Sequence, residues 1–129
     1  MDWEVVRIDD TAKGRTQPAA SLGFGRITFN TAACKLLGDY RRYRYVELMR
    51  DQGGSPQVGV RFLLEGERTG NSLPIRQRVA NGQLIGGLDI AGKRVLVGLF
   101  GVEASAEKVT RYSVRLDEDR RNILVICRR

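Results

Sequence analysis

Residues 25–38 read GRITFNTAACKLLG, and this stretch carries the clearest structural signal in the chain. Ile27 and Phe29 alternate with Arg26 and Thr28, the period-two pattern of a strand that buries one face. Asn30 follows, and it suits a helix N-cap because its side-chain oxygen can accept a free amide of the first turn. Residues 31–37 then read as a short helix burying Ala33, Leu36 and Leu37. Gly38 fits the left-handed position that ends such a helix. So short a helix does not hold alone in water, so it must pack on a sheet.

Outward from this step the chain reads mostly as strands. A strand at 44–50 puts Val46 and Leu48 on one face and Tyr45, Glu47 and Met49 on the other. DQGGSP turns it, and 58–64 returns, making a hairpin. EGERTGNS (65–72) is a polar connector. Residues 73–79 read as extended, since Pro74 disfavours helix and Ile75 alternates with arginines. Ala80-Asn81-Gly82 marks a turn, and 83–90 holds another short strand. Residues 91–102 fit two patterns: Val95, Leu96, Leu99 and Phe100 share a helix face, while Val95, Val97 and Leu99 fit a buried strand. Residues 103–110 connect to a closing hairpin, with strand 111–117, turn 118–122 and strand 123–127. Upstream, 2–8 alternates as a short strand through Trp3, Val5, Val6 and Ile8, and 9–20 is a loop rich in turn formers.

The two hairpins echo each other. RYVELMRD (44–51) parallels RYSVRLDED (111–119), and VGVRFL parallels NILVIC as the return strand. Upstream, RITFNTAACKLLG parallels GLDIAGKRVLVGLFG, which tilts 91–102 toward helix. The chain thus reads as two strand–helix–hairpin units, about 22–64 and 86–127. One such unit exposes an apolar face that a second can cover about a pseudo-two-fold axis.

Composition bounds the function. The chain of 129 residues suffices for one domain with its own core. Apolar residues at 42% and charged residues at 29% give a globular balance, not a disordered one. The longest apolar runs are far too short to span a bilayer. The N-terminus is acidic and lacks a signal-peptide layout, so the expected location is cytoplasmic. Net charge is +7, and with lysine only at 13, 35, 93 and 108, arginine supplies 18 of the 22 basic residues. Arginine's planar donor fork suits phosphates and guanine edges.

The first unit resembles the AbrB/MazE swapped-hairpin family. It has a basic-led strand, a short helix ending Leu-Gly, and a hairpin with an acidic turn, here GRITFNTAACKLLG, RYVELMRD and VGVRFL. Asn30 stands near the place of the family's proline. Two units in one chain resemble the tandem arrangement of MraZ proteins, and the whole chain also resembles small uncharacterised bacterial and phage proteins. The resemblance implies an α+β, mostly β fold. Its duplicated units would form a swapped-hairpin, barrel-like single domain over 1–129. It also implies DNA binding through basic residues at one end of the barrel. Arg26 has an equivalent there; the second unit has no basic residue in that place.

The candidates for nucleic-acid contact are Arg26, Arg41, Arg42, Arg44, Arg76 and Arg78 on phosphates, with Tyr43 as a stacking residue. The alternative is a protein-interaction module whose basic surface meets an acidic partner, and the assembly is a pseudo-two-fold monomer or a homodimer. No catalytic residue, metal or cofactor is expected. The absence of histidine removes His-based triads and most metal ligation. Asp117-Glu118-Asp119 reads as a solvated turn tip. Cys34 and Cys127 read as small apolar residues rather than a disulfide. GFGR (23–26) and GGLDIAG (86–92) match no phosphate-binding fingerprint and read as turns and close backbone approaches.

Overall fold

The computed structural model describes residues 1–5 and 17–128. The strands are β1 (Ala19–Gly23), β2 (Arg26–Phe29), β3 (Tyr45–Arg50), β4 (Val58–Leu63), β5 (Leu73–Pro74), β6 (Arg76–Ala80), β7 (Gln83–Ala91), β8 (Thr110–Leu116) and β9 (Ile123–Cys127). Helix α1 spans Thr31–Lys35 and α2 spans Lys93–Phe100, with short 3-10 turns at Tyr40–Arg42, Glu65–Glu67 and Val102–Ser105. The fold is mostly β.

Among the described residues all nine strands join one antiparallel sheet in the order β5-β3-β4-β9-β8-β1-β2-β7-β6. Its two ends are neighbours in sequence, since only Ile75 separates Pro74 from Arg76. Pro74 pairs with Tyr45 at one end of the order and Arg76 with Asp89 at the other. The chain itself therefore closes the sheet into a nearly complete barrel, leaving little edge for unintended pairing. Inside lies one cluster of buried side chains that includes Leu22, Ile27, Phe29, Val46, Val60, Phe62, Leu88, Ile90, Leu124 and Ile126.

The stretch 25–38 folds much as its pattern predicts. Ile27 and Phe29 are buried, and the Asn30 side chain accepts from the Ala33 amide at 2.9 Å. Gly38 takes φ +78°, closing α1 after a last turn of tighter bonds, such as Leu37 N to Cys34 O at 3.0 Å. Cys34, rather than Leu36, is fully buried. The two hairpins fall at their expected places. Segment 91–102 resolves as helix because Leu96 and Phe100, one turn apart, both point into the core. Gly98 sits exposed, where nothing requires a side chain.

Three expectations differ. Residues 2–5 are exposed and form no strand, while 6–8 lie outside the described residues. The loop expected at 9–20 overlaps β1, which begins at Ala19; residues 9–16 also lie outside the described residues. Small Ala19 and Ala20 carry little apolar signal, yet β1 is held between β2 and β8 with both alanines buried. The third concerns the Arg-Tyr echo. Val46 and Leu48 face the core in β3, and Val114 and Leu116 do so in β8, so Tyr112 matches Arg44, not Tyr45. A one-residue slip puts the two tyrosines on opposite faces. Tyr45 meets the Arg68 guanidinium at 5.3 Å, while Tyr112 packs on Phe100 at 5.9 Å.

The order β1-β2-α1-β3-β4 recurs as β6-β7-α2-β8-β9, with β5 leading into β6. The halves meet through antiparallel pairs of like elements, β2 with β7 and β4 with β9. The other strand pairings between them cross over: β1 pairs with β8, and β5 with β3.

Candidate nucleic-acid interface

The outer face of β6, β7 and β2 gathers two of the predicted arginines, Arg26 and Arg76, and a third, Arg78, follows where the register shifts. Leu88 and Ile90 point inward, so Asp89 between them points out. Its carboxylate accepts from Thr28 Oγ1 at 2.8 Å and from Arg26 at 3.4 Å. Arg76 stands directly opposite Asp89 on β6. Continuing across the sheet, Thr28 faces Ser21 and Ser21 faces Arg111. An outward row thus runs Arg76, Asp89, Thr28, Ser21, Arg111, with Arg26 leaning in on Asp89. The Arg26 side chain stays 51% exposed, so its ion pair is a weak surface one that leaves donors for a ligand. Arg78 follows on β6 and donates to Gly86 O at 3.3 Å.

Gly86 and Gly87 make this close approach. A Cβ on Gly86 would stand 1.9 Å from Thr31 Oγ1, and one on Gly87 would stand 2.5 Å from Phe29 O. Gly87 also takes φ +94°, which glycine adopts without strain.

The connector 41–44 does different work. Arg41 donates to Gln77 Oε1 at 3.0 Å and to Ile85 O at 3.3 Å, and its guanidinium lies 5.2 Å from the Tyr40 ring centre. It is a clamp between the 3-10 turn and the β6–β7 ribbon. Arg44 donates to Tyr43 O at 3.2 Å and to Arg41 O. Arg41, Arg44, Ile75, Gln77 and Leu84 line a groove of about 210 Å³. Arg42 is exposed, donates to the Tyr43 hydroxyl at 2.9 Å and covers that ring at 4.9 Å.

Tyr43 is a correction to the expected site. It is only 4% exposed, with its ring centre 5.8 Å from that of Phe62, so neither face is free for a base. The polar row RRYR hid this, because Tyr43 caps the 3-10 turn before β3 and lies out of phase with the inward-facing Val46 and Leu48, so no alternation marks it as buried.

The sequence marks turns at Ala80-Asn81-Gly82 and at GFGR, but sequence reasoning misses the exposed apolar side chains at these two hairpin tips. Beyond Leu88 the β6–β7 ribbon runs on to Asn81 (φ +52°) and Gly82 (φ +76°), a type I′ turn. Val79 and Leu84 pair there, each 58% exposed. The β1–β2 tip has the same backbone at Phe24 (φ +55°) and Gly25 (φ +74°). An aromatic between two glycines in GFGR was the available signal.

Asp51 and Asp117 are occupied by turns. Asp51 accepts from Gly53 N at 2.9 Å and from Ser55 Oγ, and the Ser55 bond holds its carboxyl below the usual range. Asp117 accepts from Asp119 N at 3.2 Å and Arg120 N at 3.1 Å. Burial pushes the Cys34 thiol up to about 12, which leaves it protonated and unreactive at neutral pH. Among the described residues no group of His, Cys, Asp and Glu side chains is arranged to hold a metal, and no helix is long and apolar enough to cross a membrane. No family model, curated protein or solved structure matches the chain.

Proposed function

We propose that this protein is a small non-catalytic nucleic-acid-binding module, a cytoplasmic DNA-binding or regulatory protein of AbrB-like, duplicated swapped-hairpin build. The observation that carries the reading is the convergence of Arg26 and Arg76 on Asp89 at the outer face of β2, β7 and β6, with exposed Arg78 next on β6, in a chain of net charge +7. Backbone contact by arginine is the general basis of nucleic-acid affinity. The recurring element order, with β1 and β5 reaching across to the other half, supports duplication and hairpin exchange. The closure at Ile75 supports a monomer over a homodimer, since the two halves already cover each other.

Fluorescence anisotropy with labelled duplex and single-stranded DNA tests this. Binding should weaken steeply as salt rises, because each neutralised phosphate releases counterions. Absence of binding at about 50 mM salt sinks the reading.

One observation favours a second reading, an interaction module for an acidic protein. Val79 and Leu84 form an apolar pair on a ribbon rich in arginine. A single stoichiometric acidic partner, retained after nuclease treatment and lost on Val79→Ser with Leu84→Ser, would favour it.

A further inference from the structure

Phe24 sits where its side chain is costly twice over. It is 57% exposed, so its ring gains little from burial, and its φ of +55° lies in the left-handed region that bulky residues avoid. Asparagine or glycine would suit this type I′ position better, as Asn81-Gly82 does at the matching tip.

The backbone around the ring is pinned. Phe24 N donates to Ala106 O at 3.0 Å and Gly25 N to Ala104 O at 2.7 Å, while Gly25 O accepts from Gly92 N at 3.2 Å. On one side a Cβ at Gly23 would stand 2.3 Å from Lys108 O; on the other, a Cβ at Gly25 would stand 3.1 Å from Lys93 Cβ. The tip is therefore wedged between the start of α2 and the chain before β8, with the aromatic ring left outside.

The same packing brings two lysines to the tip, through Lys93 Cβ beside Gly25 and the Lys108 backbone beside Gly23. Lys93 and Lys108 are both exposed, one beside each flanking glycine, and Arg26 follows two residues on. The nearby acids are Glu107, exposed beside Lys108, and Asp89, which already holds Arg26. From Arg26 the basic track continues to Arg76 and Arg78.

We propose that Phe24 is a rigid stacking platform for an unpaired nucleobase, with Lys93, Lys108 and Arg26 placed for the adjoining phosphates. The inference rests on the nucleic-acid reading above and adds that the strand bound there is single. A duplex offers no free base face to a ring on a projecting tip, whereas every unstacked base has one. It also moves the stacking role from buried Tyr43 to exposed Phe24.

The test uses the full chain, at about 50 mM salt so that backbone contacts are not screened. The probes are a labelled single-stranded oligothymidine, a labelled duplex, and a single strand carrying 2-aminopurine. Phe24→Asn removes the ring while keeping a residue that tolerates the left-handed turn; Phe24→Trp restores a ring. Phe24→Asn should weaken single-strand binding by roughly 5- to 100-fold, with duplex binding unchanged and the thermal midpoint equal or higher. Wild type and Phe24→Trp should quench 2-aminopurine, and Phe24→Asn should not. Unchanged single-strand affinity in Phe24→Asn overturns the proposal, as does wild-type binding to duplex alone; both leave the nucleic-acid reading standing. Binding to neither nucleic acid overturns both. If Phe24→Asn instead abolishes binding to anionic phospholipid vesicles and leaves oligothymidine affinity intact, the ring is a membrane contact and the proposal falls.

Discussion

Gly86 of β7 and Thr31 at the start of α1 touch so closely that a Cβ on Gly86 would lie 1.9 Å from Thr31 Oγ1 and 3.1 Å from Thr31 Cβ. This contact seats the helix on the strand. Gly86→Ala should destabilise the fold by roughly 1–3 kcal/mol through overpacking, read as a lower urea midpoint. Thr31→Ala in the same background removes the nearer atom and should restore part of the loss. Simple additivity of the two changes would show that the contact is not the cause.

Asn30 joins three segments at once. Its side-chain oxygen accepts from Ala33 N at 2.9 Å and Ala19 N at 3.1 Å, and its amide donates to Gln17 O at 2.7 Å. Asn30→Ala should cost about 2–3 kcal/mol, a helix cap plus an unpaired strand amide. Asn30→Asp keeps the acceptor and loses only the donor, so chemical denaturation should show it losing less than half as much.

Cys34 and Cys127 should separate cleanly by reactivity. Cys34 is fully buried, while Cys127 is half-buried at the end of β9. At pH 8 a chromogenic disulfide reagent should titrate one thiol in the native protein and two in denaturant. Burial raises the Cys34 pKa from 9.0 to about 12. The folded state therefore holds this proton after the unfolded state has lost it, so the Cys34 contribution to stability is complete below pH 9 and falls as pH rises toward 12. Cys34→Ala should flatten that alkaline decline, measured as urea midpoint against pH.

The arginines should divide into two classes. Arg76→Glu with Arg78→Glu should reduce DNA affinity at least tenfold at about 100 mM salt and lower the salt slope by about two. The thermal midpoint should stay within a few degrees, because both side chains are exposed. Arg41→Glu should lower stability instead, since it breaks the bonds to Gln77 and Ile85 that hold the ribbon. Hydrogen exchange in β6 and β7 would report that loss. Equal melting temperatures for Arg41→Glu and wild type would refute the clamp.

Much of the architecture is legible in the sequence. The Asn30 cap, the Gly38 stop, both hairpins and the Asn81-Gly82 turn each rest on the chemistry of a few neighbouring residues, so local sequence suffices for them. The arginines were legible as candidates, but their roles were not. Whether a guanidinium faces solvent, as Arg76 does, or bonds a distant strand, as Arg41 does, depends on residues some forty positions away.

By itself the sequence determined most of the elements, their order and the basic character of the chain, because helix caps, turn glycines and period-two alternation act within a few residues. Only the tertiary structure decided that β1 exists, since two alanines become strand only when held between β2 and β8. It alone decided that the sheet closes at Ile75, because closure depends on Tyr45 and Asp89 lying on facing edges. It also reversed the aromatics: Tyr43, set among arginines, is buried on Phe62, while Phe24, set among glycines, is held out in solvent. Side-chain direction follows register, and register is settled by packing between segments distant in the chain.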